Sequence, residues 1–166
     1  MIFLEMGCGA GLNLMTMQMF KGFKQCIGYD INGDLYRLHY ELGTNVSKIA
    51  DLFRLQHNFS PNKVSYINRQ FRIKELYARL KGYPGFIFVH DLNFSKVELQ
   101  TVDEIYMNRK LKAGSIIVRY HSPPGLKENS TSHDNDLEGI FETYTMDIGS
   151  SLGSRSSTLF ISIKIS

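Results

Sequence analysis

The chain has 166 residues, 43% of them apolar and 21% charged, with a formal net charge of +3 and two cysteines. That length supports one core, while two cysteines are too few for a disulfide framework or a cysteine-held metal cluster. No apolar run approaches the ~20 residues of a helical membrane span, and no basic-then-apolar leader precedes the first strand, so a single intracellular domain over 1–166 with no membrane association is the expectation.

The first strand is read at Ile2 to Glu5, an apolar run closed by an acid. It opens into the phrase FLEMGCGAG at Phe3 to Gly11, where Gly7, Gly9 and Gly11 alternate with Met6, Cys8 and Ala10. An apolar stretch from Leu12 to about Phe20 then reads as a helix. A strand, a tight glycine turn and a helix start bring backbone N–H groups close to a ligand. The second strand, Gln25 to Asp30, ends in a carboxylate at the spacing where the neighbouring strand of an α/β sheet meets a ribose.

From Gly33 to about Gln56, apolar residues recur every three to four positions (Leu35, Leu38, Leu42, Val46, Ile49, Phe53), which predicts a helix. Pro61 breaks it, and Val64 to Ile67 form a short third strand. A helix over Ile73 to Lys81 is closed by Gly82 and Pro84, and Phe86 to Val89 form the fourth strand. Val97 to Leu111 read as a helix, and Ser115 to Arg119 as the fifth strand. The polar stretch at about 121–138, rich in Pro, Ser and Asn, reads as a mobile loop. Phe141 to Met146 and Leu159 to Ile165 are two final strands around a loop at Gly149 to Arg155. Lys63, Arg69, Arg72, Lys74, Arg79 and Lys81 lie in a stretch with Glu75 as its sole acid. They form either a solvated face or a landing patch for nucleic acid or nucleosome.

The glycine spacing does not fit a dinucleotide fingerprint, because the third glycine of G-x-G-x-x-G would fall on Leu12 or Leu14. The spacing E-x-G-x-G-x-G followed by Asp30 instead resembles the first motif of class I S-adenosylmethionine-dependent methyltransferases. The resemblance implies a Rossmann-like α/β fold: a mostly parallel seven-stranded sheet, helices on both faces and an antiparallel C-terminal strand. It implies S-adenosylmethionine as cofactor and no metal. Glu5, Gly7, Cys8, Gly9 and Gly11 would then cradle the methionine part, while Asp30, with Ile31 beside it, would hold the ribose.

The segment Phe86 to Val118 is similar to the region after strand four in non-SET histone lysine methyltransferases of the disruptor-of-telomeric-silencing type. On that likeness Phe71 would stack on adenine, Gln70 would meet its amino group, and Asp91 would lie beside the methyl. Asp91 would orient or deprotonate the acceptor. His90 is a second base candidate, Asn93 stands near the family's strand-end asparagine, and Phe94 would wall an acceptor channel. The implied partner is a histone or nucleosome, and the implied place the nucleus. The chain departs from that family in having no tryptophan, in His90-Asp91 at the strand end, and in lacking the segment that covers the cofactor ahead of the first strand. Two alternatives therefore stay open: methylation of an RNA or a small molecule, and an inactive methyltransferase-like binding module.

Overall fold

The computed structural model describes residues 1–57, 63–107, 110–126, 139–149 and 156–166. In chain order these give β1 (Ile2–Met6), α1 (Leu12–Met17), β2 (Gln25–Asp30), α2 (Gly33–His57), β3 (Lys63–Asn68), α3 (Ile73–Leu80), β4 (Gly85–Val89), α4 (Lys96–Met107), β5 (Ile116–Arg119), β6 (Phe141–Gly149) and β7 (Ser156–Lys164). The strands form one seven-stranded sheet in the order β3-β2-β1-β4-β5-β7-β6. β2 is parallel to β1 and to β3, and β4 is parallel to β5, whereas β7 runs antiparallel to both β5 and β6. This is the mixed, mostly parallel Rossmann-like sheet expected, with helices around it. Two compact units make up the chain, Met1–Phe71 and Arg72–Ser166.

In the first unit, β1 is buried at every position, which suits a strand whose five residues include no alternating polar face. Phe3, Leu4, Met6, Leu14, Cys26 and Ile27 are buried, and Phe3 meets Phe23 edge-on with ring centroids 5.6 Å apart. α1 ends at Met17, three residues before the sequence reading ended it. There the hydrogen bonds tighten, with Met19 N–H donating to Thr16 O and Phe20 N–H to Met17 O, a 3₁₀-type closure. Gly28 sits where β2 passes under the turn. A Cβ at that position would lie 2.3 Å from Leu14 Cδ1 and 2.7 Å from Cys8 Sγ. Both side chains are themselves buried, so neither has room to withdraw. Gly28→Ala is accordingly expected to lower stability by about 1–3 kcal/mol, the usual cost of overpacking, as urea unfolding would measure.

In the second unit, Leu76, Leu80, Ile87, Val89, Val102, Ile105, Tyr106, Ile117 and Phe141 form the core, and the rings of Tyr106 and Phe141 lie 5.2 Å apart. α3 is closed by Lys81 and Gly82, both at positive φ, as the glycine-proline stop predicts. Ser95 and Glu98 cap α4 reciprocally, Ser95 N–H donating to Glu98 Oε2 at 2.8 Å and Glu98 N–H to Ser95 Oγ at 3.4 Å. β6 and β7 are longer than their apolar residues indicate, because the pairing runs from Phe141 opposite Lys164 to Gly149 opposite Ser156. On β7 the fully buried positions are Ser162 and Lys164, whereas Ile161 and Ile163 are half-buried and Ile165 is exposed. Ser162 is accommodated by the hydroxyl of Thr143 at 2.9 Å, and the Lys164 ammonium lies 5.4 Å from the centroid of the Phe141 ring.

Burial also fixes how the fold responds to alkali. It pushes the Cys26 thiol from 9.0 up to about 12, and chiefly burial pushes the Tyr106 phenol from 10.0 up to about 12. Above pH 9 the unfolded chain sheds protons that the native chain keeps, so these groups' stability contribution is complete below pH 9 and is lost between pH 9 and 12. Denaturant midpoints should fall over that window, and Cys26→Ala should delay the onset of the fall.

Candidate cofactor site

The polypeptide leaves β1 at Met6 and turns through Gly7, Gly9 and Gly11, whose φ angles are 72°, 56° and 76°. Side-chain-bearing residues rarely adopt that region, which is why every second residue here is glycine. The turn is tied down from beneath by the Tyr29 carbonyl, which accepts from Gly7 N–H at 2.9 Å and from Cys8 N–H at 3.1 Å. It closes with Gly11 N–H on Cys8 O at 2.8 Å, and the helix begins with Met15 N–H on Gly11 O at 3.0 Å. At Gly9, a Cβ would meet nothing within 4 Å, so the backbone faces open space there.

Asp30, at the carboxyl end of β2, reaches the same turn. Its Oδ2 accepts from Gly9 N–H at 2.8 Å and its Oδ1 accepts from Asn32 N–H at 2.8 Å. A carboxylate has about four acceptor positions, so one on each oxygen is used and hydroxyl donors can still be received. Asn68 of β3 donates to the Asp30 carbonyl at 3.1 Å, and the Asn32 side chain caps α2 through Asp34 N–H at 2.9 Å. Ile31 is 68% exposed, an uncovered apolar side chain next to the carboxylate. Glu5 is buried, and its Oε1 accepts from Asn13 Nδ2 at 2.7 Å, which links the end of β1 to the first turn of α1. Burial, followed by the nearby Glu5 charge, holds the Cys8 thiol well above its ordinary range, so Cys8 serves the turn as a neutral group.

The structure therefore brings Glu5, Gly7, Cys8, Gly9, Gly11 and Asp30 together around one turn. Gln70 and Phe71 follow β3; Gln70 is exposed and Phe71 is buried. The residues read as catalytic lie in the second unit. Asp91 is wholly buried and both its oxygens are engaged: Oδ2 by Arg119 Nε at 2.8 Å, Oδ1 by Tyr120 N–H at 2.9 Å and by His121 N–H at 3.3 Å. His121 Nδ1 lies 3.4 Å from Oδ2. A carboxylate gripped in this way joins the end of β4 to the residues after β5. His90 is half-buried with its ring 4.4 Å from that of Phe88, Asn93 is exposed, and Phe94 is half-buried with its N–H on Asp91 O at 3.2 Å. The reach of Asp91 also fixes the start of the stretch read as a loop at 121–138: residues 121–126 form a turn with Leu126 N–H on Pro123 O, and 127–138 lie outside the described residues.

Three neighbours of these residues were not read from the sequence. Tyr66 and His39 touch the glycine turn, and Arg119 touches Asp91, as does His121, which follows the fifth strand. Arg119 alone left a signal, since a charge closing the apolar strand SIIV requires a buried partner. Among the described residues no group of three or more His, Cys, Asp or Glu could hold a metal ion, and no helix is long and apolar enough to cross a membrane.

No family model and no curated protein matches this sequence. Solved structures do match it across nearly its whole length. An rRNA methylase from Streptococcus thermophilus is 12% identical, with a TM-score of 0.60 over 99% of this chain and 87% of the other. The methyltransferase domain of a bacterial CtHen1-CN is 15% identical, with a TM-score of 0.55 over 98% of this chain and 89% of the other. At such identities the likeness concerns the fold alone, and the fold that this chain shares with those structures is the Rossmann-like methyltransferase fold.

Proposed function

We propose that this chain is an S-adenosylmethionine-dependent methyltransferase. The observation that carries the reading is the open backbone at Gly9 with the Asp30 carboxylate directed to the same residue. A bare turn accepts a flat, close-lying ligand, and a carboxylate with acceptor positions to spare suits a pair of ribose hydroxyls. No cationic side chain stands among Gly7 to Gly11, which fits a ligand without a pyrophosphate. When bound, the cofactor supplies an already electrophilic methyl carbon, so the protein's task is to align the acceptor and exclude water. Asp30 and the glycine turn hold the donor in this scheme. Asp91 acts as a positioning residue, fixing the backbone of Tyr120 and His121 beyond β5.

For the acceptor, the resemblance of Phe86 to Val118 favours a histone lysine on a nucleosome, which would place the protein in the nucleus. A second reading, RNA, is supported by the fold likeness to a protein described as an rRNA methylase and by the exposed cations Lys63, at the start of β3, and Arg69, just after its end. Calorimetry with S-adenosylmethionine and S-adenosylhomocysteine tests the donor: saturable binding is expected, and its absence in a folded chain would refute the proposal. Transfer of a radiolabelled methyl group to nucleosomes, free histones or RNA then separates the acceptors.

A further inference from the structure

The glycine turn is gripped by two side chains that lie far from it in sequence. The Tyr66 hydroxyl, on β3, donates to the Gly9 carbonyl. His39, on α2, faces the Ala10 carbonyl with Nδ1 at 3.0 Å, and because a carbonyl only accepts, that nitrogen carries the proton. The two rings pack with centroids 4.3 Å apart, and Tyr36 lies 5.3 Å from Tyr66 on α2. On the amide side, Asp30 takes Gly9 N–H. Side chains from β2, α2 and β3 therefore hold three polar backbone atoms of Gly9 and Ala10.

The glycines of the turn also divide by what occupies the space a side chain would fill. Above Gly9 nothing lies within 4 Å, whereas a Cβ on Gly11 would stand 2.4 Å from His39 Nδ1. Gly9 is bare toward open space; Gly11 is bare because His39 packs on it. A run of glycines loses the most backbone freedom on ordering, so a turn of this composition holds one shape only when outside groups fix it.

We propose that Tyr66 and His39 are positioning residues that hold the Gly9–Ala10 backbone in the shape that receives the cofactor, an inference that rests on the methyltransferase reading above. Preorganisation of this kind raises affinity by removing the ordering cost from the binding step. Tyr66→Phe keeps the ring packing and deletes only the hydroxyl. His39→Leu deletes the donor, and His39→Asn restores an N–H donor close to the Nδ1 position.

Calorimetry with S-adenosylhomocysteine should show Kd rising about tenfold in Tyr66→Phe and in His39→Leu, with His39→Asn recovering much of the loss. Amide hydrogen exchange at Gly9 and Gly11, the hydrogen-bonded amides of the turn, should quicken in the first two variants, while the amides of Leu4 and Ile27 within the strands keep their wild-type protection. Wild-type affinity together with unchanged exchange in Tyr66→Phe and His39→Leu would overturn this inference and leave the methyltransferase reading standing. Failure of the wild-type protein to bind S-adenosylhomocysteine would overturn that reading, and with it the assignment of a ligand to the turn.

Discussion

Arg119→Leu is expected to destabilise the protein by about 3–5 kcal/mol, the cost of leaving a buried charge without its partner. Arg119 is 1% exposed and Asp91 0%. Burial works against the guanidinium charge, yet hydrogen bonding to Asp103, the nearby Tyr106 and Asp91 together hold its pKa above the ordinary value. Nη1 reaches Asp103 Oδ1 at 2.6 Å while Nε reaches Asp91 Oδ2 at 2.8 Å, so one planar group bridges two acids. Asp103 is partly exposed and can turn to water, so the larger share of the loss comes from Asp91. Arg119→Lys keeps the charge without the fork and should fall between wild type and Arg119→Leu. Urea unfolding measures the series; a loss below about 1 kcal/mol in Arg119→Leu would mean that the buried Asp91 does not depend on Arg119.

Asp30→Ala should weaken S-adenosylhomocysteine binding by about 1.5–3 kcal/mol, the range for hydrogen bonds to a charged group. That corresponds to roughly a 10- to 150-fold rise in Kd. The substitution also frees the amides of Gly9 and Asn32, so thermal unfolding has to be measured alongside calorimetry. Asp30→Asn retains one acceptor and should lie between the two. An unchanged affinity in a folded Asp30→Ala protein would remove this carboxylate from the site.

The turn and its carboxylate were legible because each rests on local composition. Alternating glycines answer a backbone demand within five residues, and the second strand shows itself as a short continuous run, Cys26 to Tyr29, closed by Asp30. The strands were legible too, each apolar run between breakers matching an element to within a few residues. What escaped was pairing between distant side chains. Tyr66 reads as one more strand aromatic and His39 as one polar position of an amphipathic helix, and nothing local says that both meet the same turn. The engagement of Asp91 depended on Arg119 and on two amides after β5, partners set by the sheet rather than by spacing. On β7 the apolar residues Ile161, Ile163 and Ile165 alternate along one face, yet the burial falls on Ser162 and Lys164. Both faces of this strand are at least partly covered, Ser162 and Lys164 fully and Ile161 and Ile163 by half, so hydropathy alone does not say which face is drier.

The sheet order has a consequence for how the second unit is made. β6 is joined to the sheet only through β7, which is the later of the two in the chain. During synthesis, Phe141 to Gly149 leaves the ribosome before the strand that will hold it exists. Glu142, Tyr144, Thr145, Met146 and Asp147 are exposed in the finished protein, so the segment can wait in water without a large apolar surface. The order β5-β7-β6 therefore cannot be completed until β7 has entered between two strands made before it.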